Sequence, residues 1–262
     1  MLIEPRSAAP GSVLRWSRQA IDLLRRGLGF WSVLSLLMCL WMFVGHRFPL
    51  VSGILALVAL LSCMLIASHV DRSGRISLGE ALEMLRGKLR VLLMFAGIVA
   101  IAGGLVWVLL LAKPGVAWWN ILYTERNAVD VLSADGFVAL RQIFVYSAFA
   151  LGLCYFGLNI PGLTSFFQFL GMTLLGLSFR EAWRLGAAGQ IRNIGPMLAV
   201  ALLFMVLPAA FALLLPPIVP VLYCFFGALG YVAFREIFLG IGENQPREVA
   251  AITSATPLSS RA

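Results

Sequence analysis

The sequence predicts an all-α polytopic membrane protein with about six transmembrane helices in three hairpins, each preceded by an amphipathic interfacial helix. Of its 262 residues, 61% are hydrophobic and 12% are charged, whereas soluble domains carry roughly twice that share of charge. Several uncharged stretches approach or exceed the ~20 residues that a helix needs to cross a bilayer. Three such stretches follow a charged, two-sided segment, which is typical of a helix that lies on the membrane surface.

The charge balance and the cysteines limit the classes of partner. The net charge is +8, but basic residues of membrane proteins collect on the cytoplasmic side. No basic patch is interleaved with aromatic residues outside the apolar stretches, so we expect no nucleic-acid partner. The cysteines all lie inside apolar stretches without metal-type spacing, and we interpret them as small core residues: Cys39, Cys63, Cys154 and Cys224.

The first third of the chain predicts one interfacial helix and one hairpin. Residues 1–11 are rich in Pro, Ala and Gly and predict a flexible N-terminus. Residues 12–27 place apolar side chains on one helical face and arginines on the other, which predicts an interfacial helix. The two spans that follow are predicted at 28–45 and 50–69.

Residues 76–112 carry the same plan without interruption. Ser77 and Glu80 form a capping-box signature, which predicts the start of an amphipathic helix at 77–90. A charge-free helix at 91–112 follows directly and is long enough to span the membrane.

The stretch 143–177 is harder to interpret, because it is long for one crossing and short for two. It contains no charged residue and is interrupted by Asn159 and Pro161. We predict a single span at 150–177 with a kink at the proline.

The last third predicts one more interfacial helix and hairpin. Ser178 and Glu181 repeat the capping-box signature, and the interfacial helix is predicted at 178–193. The spans are predicted at 197–214 and 218–239. These elements complete a single membrane domain at 12–242, and the polar residues 243–262 predict a disordered tail.

The three surface segments resemble one another, which we interpret as an internal repeat. If all three lie on one side of the membrane, each unit crosses it an even number of times. This arrangement puts 16 of the 20 Lys and Arg residues on the side of both termini. The positive-inside rule makes that side cytoplasmic, so we expect a multi-pass protein with both termini in the cytoplasm.

Two segments carry a resemblance to a known family. Residues 178–198, SFREAWRLGAAGQIRNIGPML, and residues 231–238, YVAFREIF, resemble the YciC-like proteobacterial inner-membrane proteins, as does the six-span plan. The likeness covers roughly residues 15–240 and departs from the family pattern at Phe234, where Tyr is expected. It implies a six-span fold in the bacterial inner (cytoplasmic) membrane. The family has no assigned reaction, so the resemblance implies no site.

The sequence contains no pattern of a known catalytic or nucleotide-binding site. His46 and His69 lie at opposite ends of the second predicted span and cannot share a metal. No charged residue lies near the middle of a predicted span, where charge-coupled transporters keep one. Arg235 and Glu236, at the last exit, are interpreted as anchors. We therefore expect no enzymatic activity, no metal and no cofactor.

The favoured function is that of a scaffold or accessory subunit that binds the cytoplasmic leaflet through its basic helices. Its partners would be anionic lipid headgroups and another membrane protein. The candidate contacts are basic residues of the three interfacial helices: Arg18, Arg25, Arg26, Arg86, Lys88, Arg90, Arg184 and Arg192.

Two alternatives remain open. A carrier or channel for a neutral or lipidic substrate would use a polar break inside the membrane, with Asn159, Pro161 and Gln168 as its candidate residues. A membrane enzyme that acts on headgroups would need acids or histidines clustered at one interface. Such an enzyme would be favoured by a structure that gathers His69, Asp71, Glu80 and Glu181 in one pocket.

Overall fold

The computed structural model describes residues 4–45, 49–111 and 166–240, and every element of secondary structure in them is a helix, as the sequence predicts. The eight α-helices of these residues are α1 (Ser12–Arg26), α2 (Leu28–Gly45), α3 (Pro49–Ser73), α4 (Leu78–Leu111), α5 (Phe166–Leu174), α6 (Phe179–Arg192), α7 (Ile194–Leu214) and α8 (Val219–Phe234). A 3₁₀ turn (Pro216–Ile218) precedes α8, and a π-helical turn (Arg235–Leu239) continues it.

Helix α8 is the centre of the bundle. It packs against α1, α2, α3, α5 and α7, and its residues from Tyr223 onward are buried apart from Phe225. The closest neighbour is α3, and Gly227 explains the approach. A Cβ at Gly227 would collide with the Cβ of Cys63 and would stand 3.2 Å from the Leu60 carbonyl oxygen. The missing side chain therefore lets the two backbones come together.

Two pairs of helices are sharply bent. Helices α1 and α2 meet at 96°, and α6 and α7 meet at 93°. The first bend lies at Gly27, where a Cβ would stand only 3.1 Å from the Trp31 Nε1 atom. The second lies at Asn193 and is followed by Pro196, which has no N–H to continue the hydrogen-bonding pattern of α6.

Helix α4 combines the two elements that the sequence predicts at 77–90 and 91–112. Its 34 residues form one helix of about 51 Å at 1.5 Å per residue. That length exceeds a hydrocarbon core of about 30 Å. The charged first half of α4 therefore runs into its apolar second half without a break in the helix.

The number of membrane crossings is smaller among the described residues than the sequence predicts for the whole chain. By length and composition, one helical stretch, Val219–Leu239, could cross a membrane, and up to three could do so if each bent pair counts as one span. The predicted span at 150–177 is described only from residue 166 onward, and the predicted tail at 243–262 lies outside the described residues. The six-span arrangement stays a prediction.

Candidate functional site

A buried ion pair closes one end of the bundle. The Arg235 guanidinium donates through Nη1 to Asp71 Oδ2 at 2.6 Å, and each side chain is only 8% exposed. The Tyr231 hydroxyl donates to the same carboxylate oxygen at 2.8 Å. Arg235 Nη2 also donates to Gln19 Oε1 at 2.8 Å. These four side chains come from α1, the end of α3 and the end of α8, so the network joins three helices.

A second ion pair lies one residue further along. Arg15 on α1 donates through Nη2 and Nε to the two carboxylate oxygens of Glu236, at 2.5 and 3.2 Å. The Trp16 indole N–H donates to Glu236 Oε2 at 3.0 Å, and the Trp16 side chain is fully buried. Such a bidentate arginine–carboxylate contact fixes direction as well as distance. Helix α1 is therefore fastened to the end of α8 by two adjacent charged residues.

The N-terminal segment, which we define as residues 5–8, crosses the same end of the bundle. Asn193 accepts a hydrogen bond from the Ala8 backbone N–H at 2.6 Å, and its amide donates to the Arg6 carbonyl at 2.9 Å. Arg192 donates to the Ser7 hydroxyl and to the Pro5 carbonyl, both at 2.9 Å. The Arg6 N–H donates to the Ile237 carbonyl at 2.8 Å. The sequence carries no signal for these contacts, because the partners of residues 5–8 lie more than 180 residues away.

Exposed arginines lie on the two helices α1 and α6. On α1, Arg18, Arg25 and Arg26 are exposed, and Arg25 keeps a loose contact of 3.7 Å with Asp22. On α6, Arg180 and Arg184 are exposed. We call these five arginines the basic surface. It therefore lies on the two helices that turn away from their apolar partners.

Half-exposed aromatic residues accompany the basic surface on α6. Phe179 is 43% exposed and Trp183 is 38% exposed. Aromatic side chains with one apolar and one wet face are typical of the membrane–water interface. The first two turns of α6 thus combine arginines and aromatic rings in the way that interfacial helices do.

The other residues singled out from the sequence have different surroundings. Arg86 and Arg90 are exposed on the unbroken helix α4, and Lys88 is half-buried there. Arg192 is exposed but holds the N-terminal segment. Gln168 is fully buried on α5, whereas Asn159 and Pro161 lie outside the described residues. The structure therefore does not test the helix break that a carrier would need.

Two capping boxes start α4 and α6. Glu181 accepts from the Ser178 hydroxyl at 2.6 Å and from its backbone N–H at 3.0 Å. Glu80 accepts from the Ser77 backbone N–H at 2.8 Å and from its hydroxyl at 2.9 Å. These bonds favour the ionised carboxylates, so the pKa of Glu80 is lowered, chiefly by the Ser77 N–H, and that of Glu181 chiefly by the Ser178 hydroxyl.

The three acidic residues that a headgroup enzyme would need have separate roles. Asp71 belongs to the buried network with Arg235, whereas Glu80 and Glu181 each cap their own helix. In the part of the chain that the structure describes, no group of three or more His, Cys, Asp or Glu residues is placed to hold a metal ion.

Comparisons of the chain with protein-family models, with curated proteins and with solved structures find no match.

Proposed function

We propose that this protein is a non-enzymatic, multi-pass protein of the bacterial inner membrane, with both termini in the cytoplasm. It acts as a scaffold or accessory subunit that binds the anionic cytoplasmic leaflet through its basic surface. The observation that carries the proposal is the pair of bends at 96° and 93°. Each bend joins an arginine-bearing amphipathic helix to an apolar helix.

The bends favour contact with lipid headgroups for a geometric reason. When an apolar helix stands upright in a bilayer, a helix at right angles to it lies parallel to the membrane plane. The arginines on its outer side then reach the headgroup layer along their whole row. Each Lys or Arg near an anionic leaflet contributes about 1 kcal/mol of attraction.

The outward faces of the apolar helices support the same placement. On α7, Leu198, Leu202 and Val206 recur at four-residue spacing and are exposed. On α2, Leu36, Leu37 and Leu40 are exposed in the same way. Polar contacts such as Asp71–Arg235 lie inside. An apolar outer face over a partly polar interior suits a hydrocarbon solvent.

The buried network fixes the orientation of α1 for lipid binding. Arg15, Trp16 and Gln19 bind the end of α8 through their side chains, so α1 cannot turn about its own axis without breaking them. Arg18, Arg25 and Arg26 are consequently presented on one fixed side. Binding then costs little ordering of the helix, which favours affinity.

The test compares charge removal with charge conservation on α1. The triple variant Arg18→Gln, Arg25→Gln, Arg26→Gln is measured beside Arg18→Lys, Arg25→Lys, Arg26→Lys, in detergent micelles with added phosphatidylglycerol or phosphatidylcholine. We expect phosphatidylglycerol to raise Tm for the wild-type and lysine proteins, and much less for the glutamine protein. High salt should shrink the difference. An equal rise for the glutamine variant would contradict the lipid contact.

The scaffold part of the proposal has its own test. After mild detergent extraction, native mass spectrometry should find the chain with a second membrane protein or with retained anionic lipid. A bare monomer without lipid preference would refute the scaffold.

A further inference from the structure

Two buried thiols face each other between the central helices. The Cys63 Sγ atom on α3 and the Cys224 Sγ atom on α8 lie 3.9 Å apart. Both side chains are fully buried. The Ser35 hydroxyl of α2 lies 3.5 Å from Cys224 Sγ, so a polar group from a third helix adjoins the pair. Sequence spacing gave no sign of it, since the two cysteines are 161 residues apart.

The close approach of α3 and α8 makes a covalent link geometrically accessible. Gly227 lies one turn after Cys224, and a Cβ there would stand 3.3 Å from the Cys63 carbonyl carbon. The backbones of the two helices are therefore in close contact one turn from the thiols. A disulfide needs an S–S distance of about 2.05 Å, so the sulfurs must approach by roughly 2 Å to form the bond.

The depth of the cysteine pair in the membrane indicates which kind of oxidant can reach it. Cys224 precedes Arg235 by eleven residues and lies about 16 Å along the helix from the charged end. Cys63 lies about 12 Å from Asp71 by the same measure. In a membrane this depth is near the middle of the hydrocarbon, where charged oxidants do not dissolve. Val221, three residues before Cys224, is 43% exposed, so an apolar oxidant in the bilayer comes within one helical turn of the pair.

We propose that Cys63 and Cys224 form a redox-active dithiol whose oxidant is a membrane-dissolved quinone. The two S–H bonds break and one S–S bond forms between the cysteines. The two electrons and two protons that are released reduce one quinone to one quinol. The product is a disulfide that joins α3 to α8. This inference does not depend on lipid binding by the basic surface.

The experiment uses the full chain in lipid nanodiscs with decyl-ubiquinone as the probe. In a Cys39→Ser, Cys154→Ser background, both remaining thiols should be lost to maleimide labelling after incubation and denaturation, and one quinol should form per chain. A reducing agent should restore both thiols. In the same background with Cys63→Ser, one thiol should stay reactive and no quinol should form.

The formation of the disulfide can also be tested in the wild-type chain. Non-reducing peptide mapping after quinone treatment should yield a disulfide-linked peptide pair that contains Cys63 and Cys224. The proposal is overturned if both thiols still label after prolonged exposure to excess quinone, or if the Cys63→Ser chain reduces as much quinone. It is also overturned if a permeant azo oxidant such as diamide forms the link but the quinone does not.

Discussion

The bent units α1–α2 and α6–α7 and the unbroken helix α4 start from similar amphipathic sequences but present their charges differently. In the bent units the charged helix lies at about a right angle to its apolar partner. In α4 the charged half continues the apolar half in one helix of 34 residues. The starts do not explain this, because α4 and α6 begin with the same Ser-x-x-Glu capping box.

The difference lies at the junctions and in what holds the charged helix. Gly27 and the Asn193–Pro196 stretch interrupt the helical pattern, whereas the residues from Lys88 to Phe95 are ordinary helix formers. Both bent helices are also tied to the end of α8. Helix α1 is tied by the Arg15–Glu236 ion pair and the Arg235–Gln19 hydrogen bond, and α6 through Arg192, Asn193 and the N-terminal segment. A bend therefore needs both a break in the sequence and a partner that holds the turned helix.

The largest expected effect comes from breaking the support of α1. Asp71→Ala leaves the buried Arg235 guanidinium without its carboxylate, which typically lowers the free energy of unfolding by about 3–5 kcal/mol. Hydrogen exchange should rise in α1 and at the end of α8, and much less in the first half of α4. Denaturant unfolding and exchange mass spectrometry measure the two effects.

A matched double variant separates charge burial from simple loss of packing. Asp71→Leu with Arg235→Leu removes both charges, and replacing a buried pair by apolar residues is often neutral or stabilising. We expect it to recover most of the stability that Asp71→Ala loses. Equal losses of stability in both variants would mean that the cost comes from lost packing and not from the unpaired charge. Faster exchange centred on α4 would mean that the Asp71–Arg235 network does not hold α1.

A smaller effect is expected at the second bend. Asn193→Ala removes the acceptor of the Ala8 N–H and the donor to the Arg6 and Gly189 carbonyls. Loss of a buried hydrogen-bonding group costs about 1–3 kcal/mol. Residues 5–8 should become sensitive to protease, while cleavage within α4 should not change.

The conservative variant Asn193→Asp sharpens that result. It keeps an oxygen for the Ala8 N–H but has no amide to donate, so protection of the N-terminal segment should be intermediate. If residues 5–8 are cleaved at the wild-type rate in both Asn193→Ala and Asn193→Asp, other contacts hold the N-terminal segment.

The smallest effect concerns the two capping boxes, which start both the unbroken helix α4 and the bent helix α6. Because the pKa values of Glu80 and Glu181 are lowered in the folded protein, the caps stabilise it above the unfolded pKa of about 4.3. This contribution is lost as the pH falls through the lower, folded values. The Tm of the protein should therefore fall towards acid pH, and Ser77→Ala and Ser178→Ala should each reduce that pH dependence.

Both fully exposed caps give a direct spectroscopic check. Carbon-13 chemical shifts of the two glutamate side chains, followed by NMR, should titrate below the value of a free glutamate. A glutamate in the corresponding serine-to-alanine variant should titrate closer to the free value. Ordinary titration of Glu80 or Glu181 in the wild-type protein would contradict the capping assignment.

Local patterns in the sequence predict the helices but not what holds them together. The amphipathic spacing and the Ser-x-x-Glu signatures place the starts of α4 and α6 at the residues where the structure has them. The sequence predicts that Arg235 and Glu236 anchor the last helix at its exit, and in the structure both form ion pairs inside the bundle. Their partners Asp71 and Arg15 are 164 and 221 residues away, and a single sequence carries no signal for pairing at that distance.

The contacts of Arg192 and of residues 1–11 also have no signal in the sequence. The charge of Arg192 predicts a lipid or partner contact, and in the structure its side chain donates to Ser7 and Pro5. The composition of residues 1–11 predicts a flexible N-terminus, because Pro, Ala and Gly say nothing about backbone groups that another element can bind. Gly27 and Asn193 could have been recognised as bends, but Lys88–Val91 shows that charge next to an apolar run does not itself produce one.

The hydrogen bonds of residues 5–8 have a consequence for the order of assembly. During synthesis these residues precede Asn193 by about 185 positions and Ile237 by more than 200. Their partners have not been synthesised when α1 emerges, so these hydrogen bonds form only after the last helix has been made. The closed end, in which Arg15 contacts Glu236, is thus completed last.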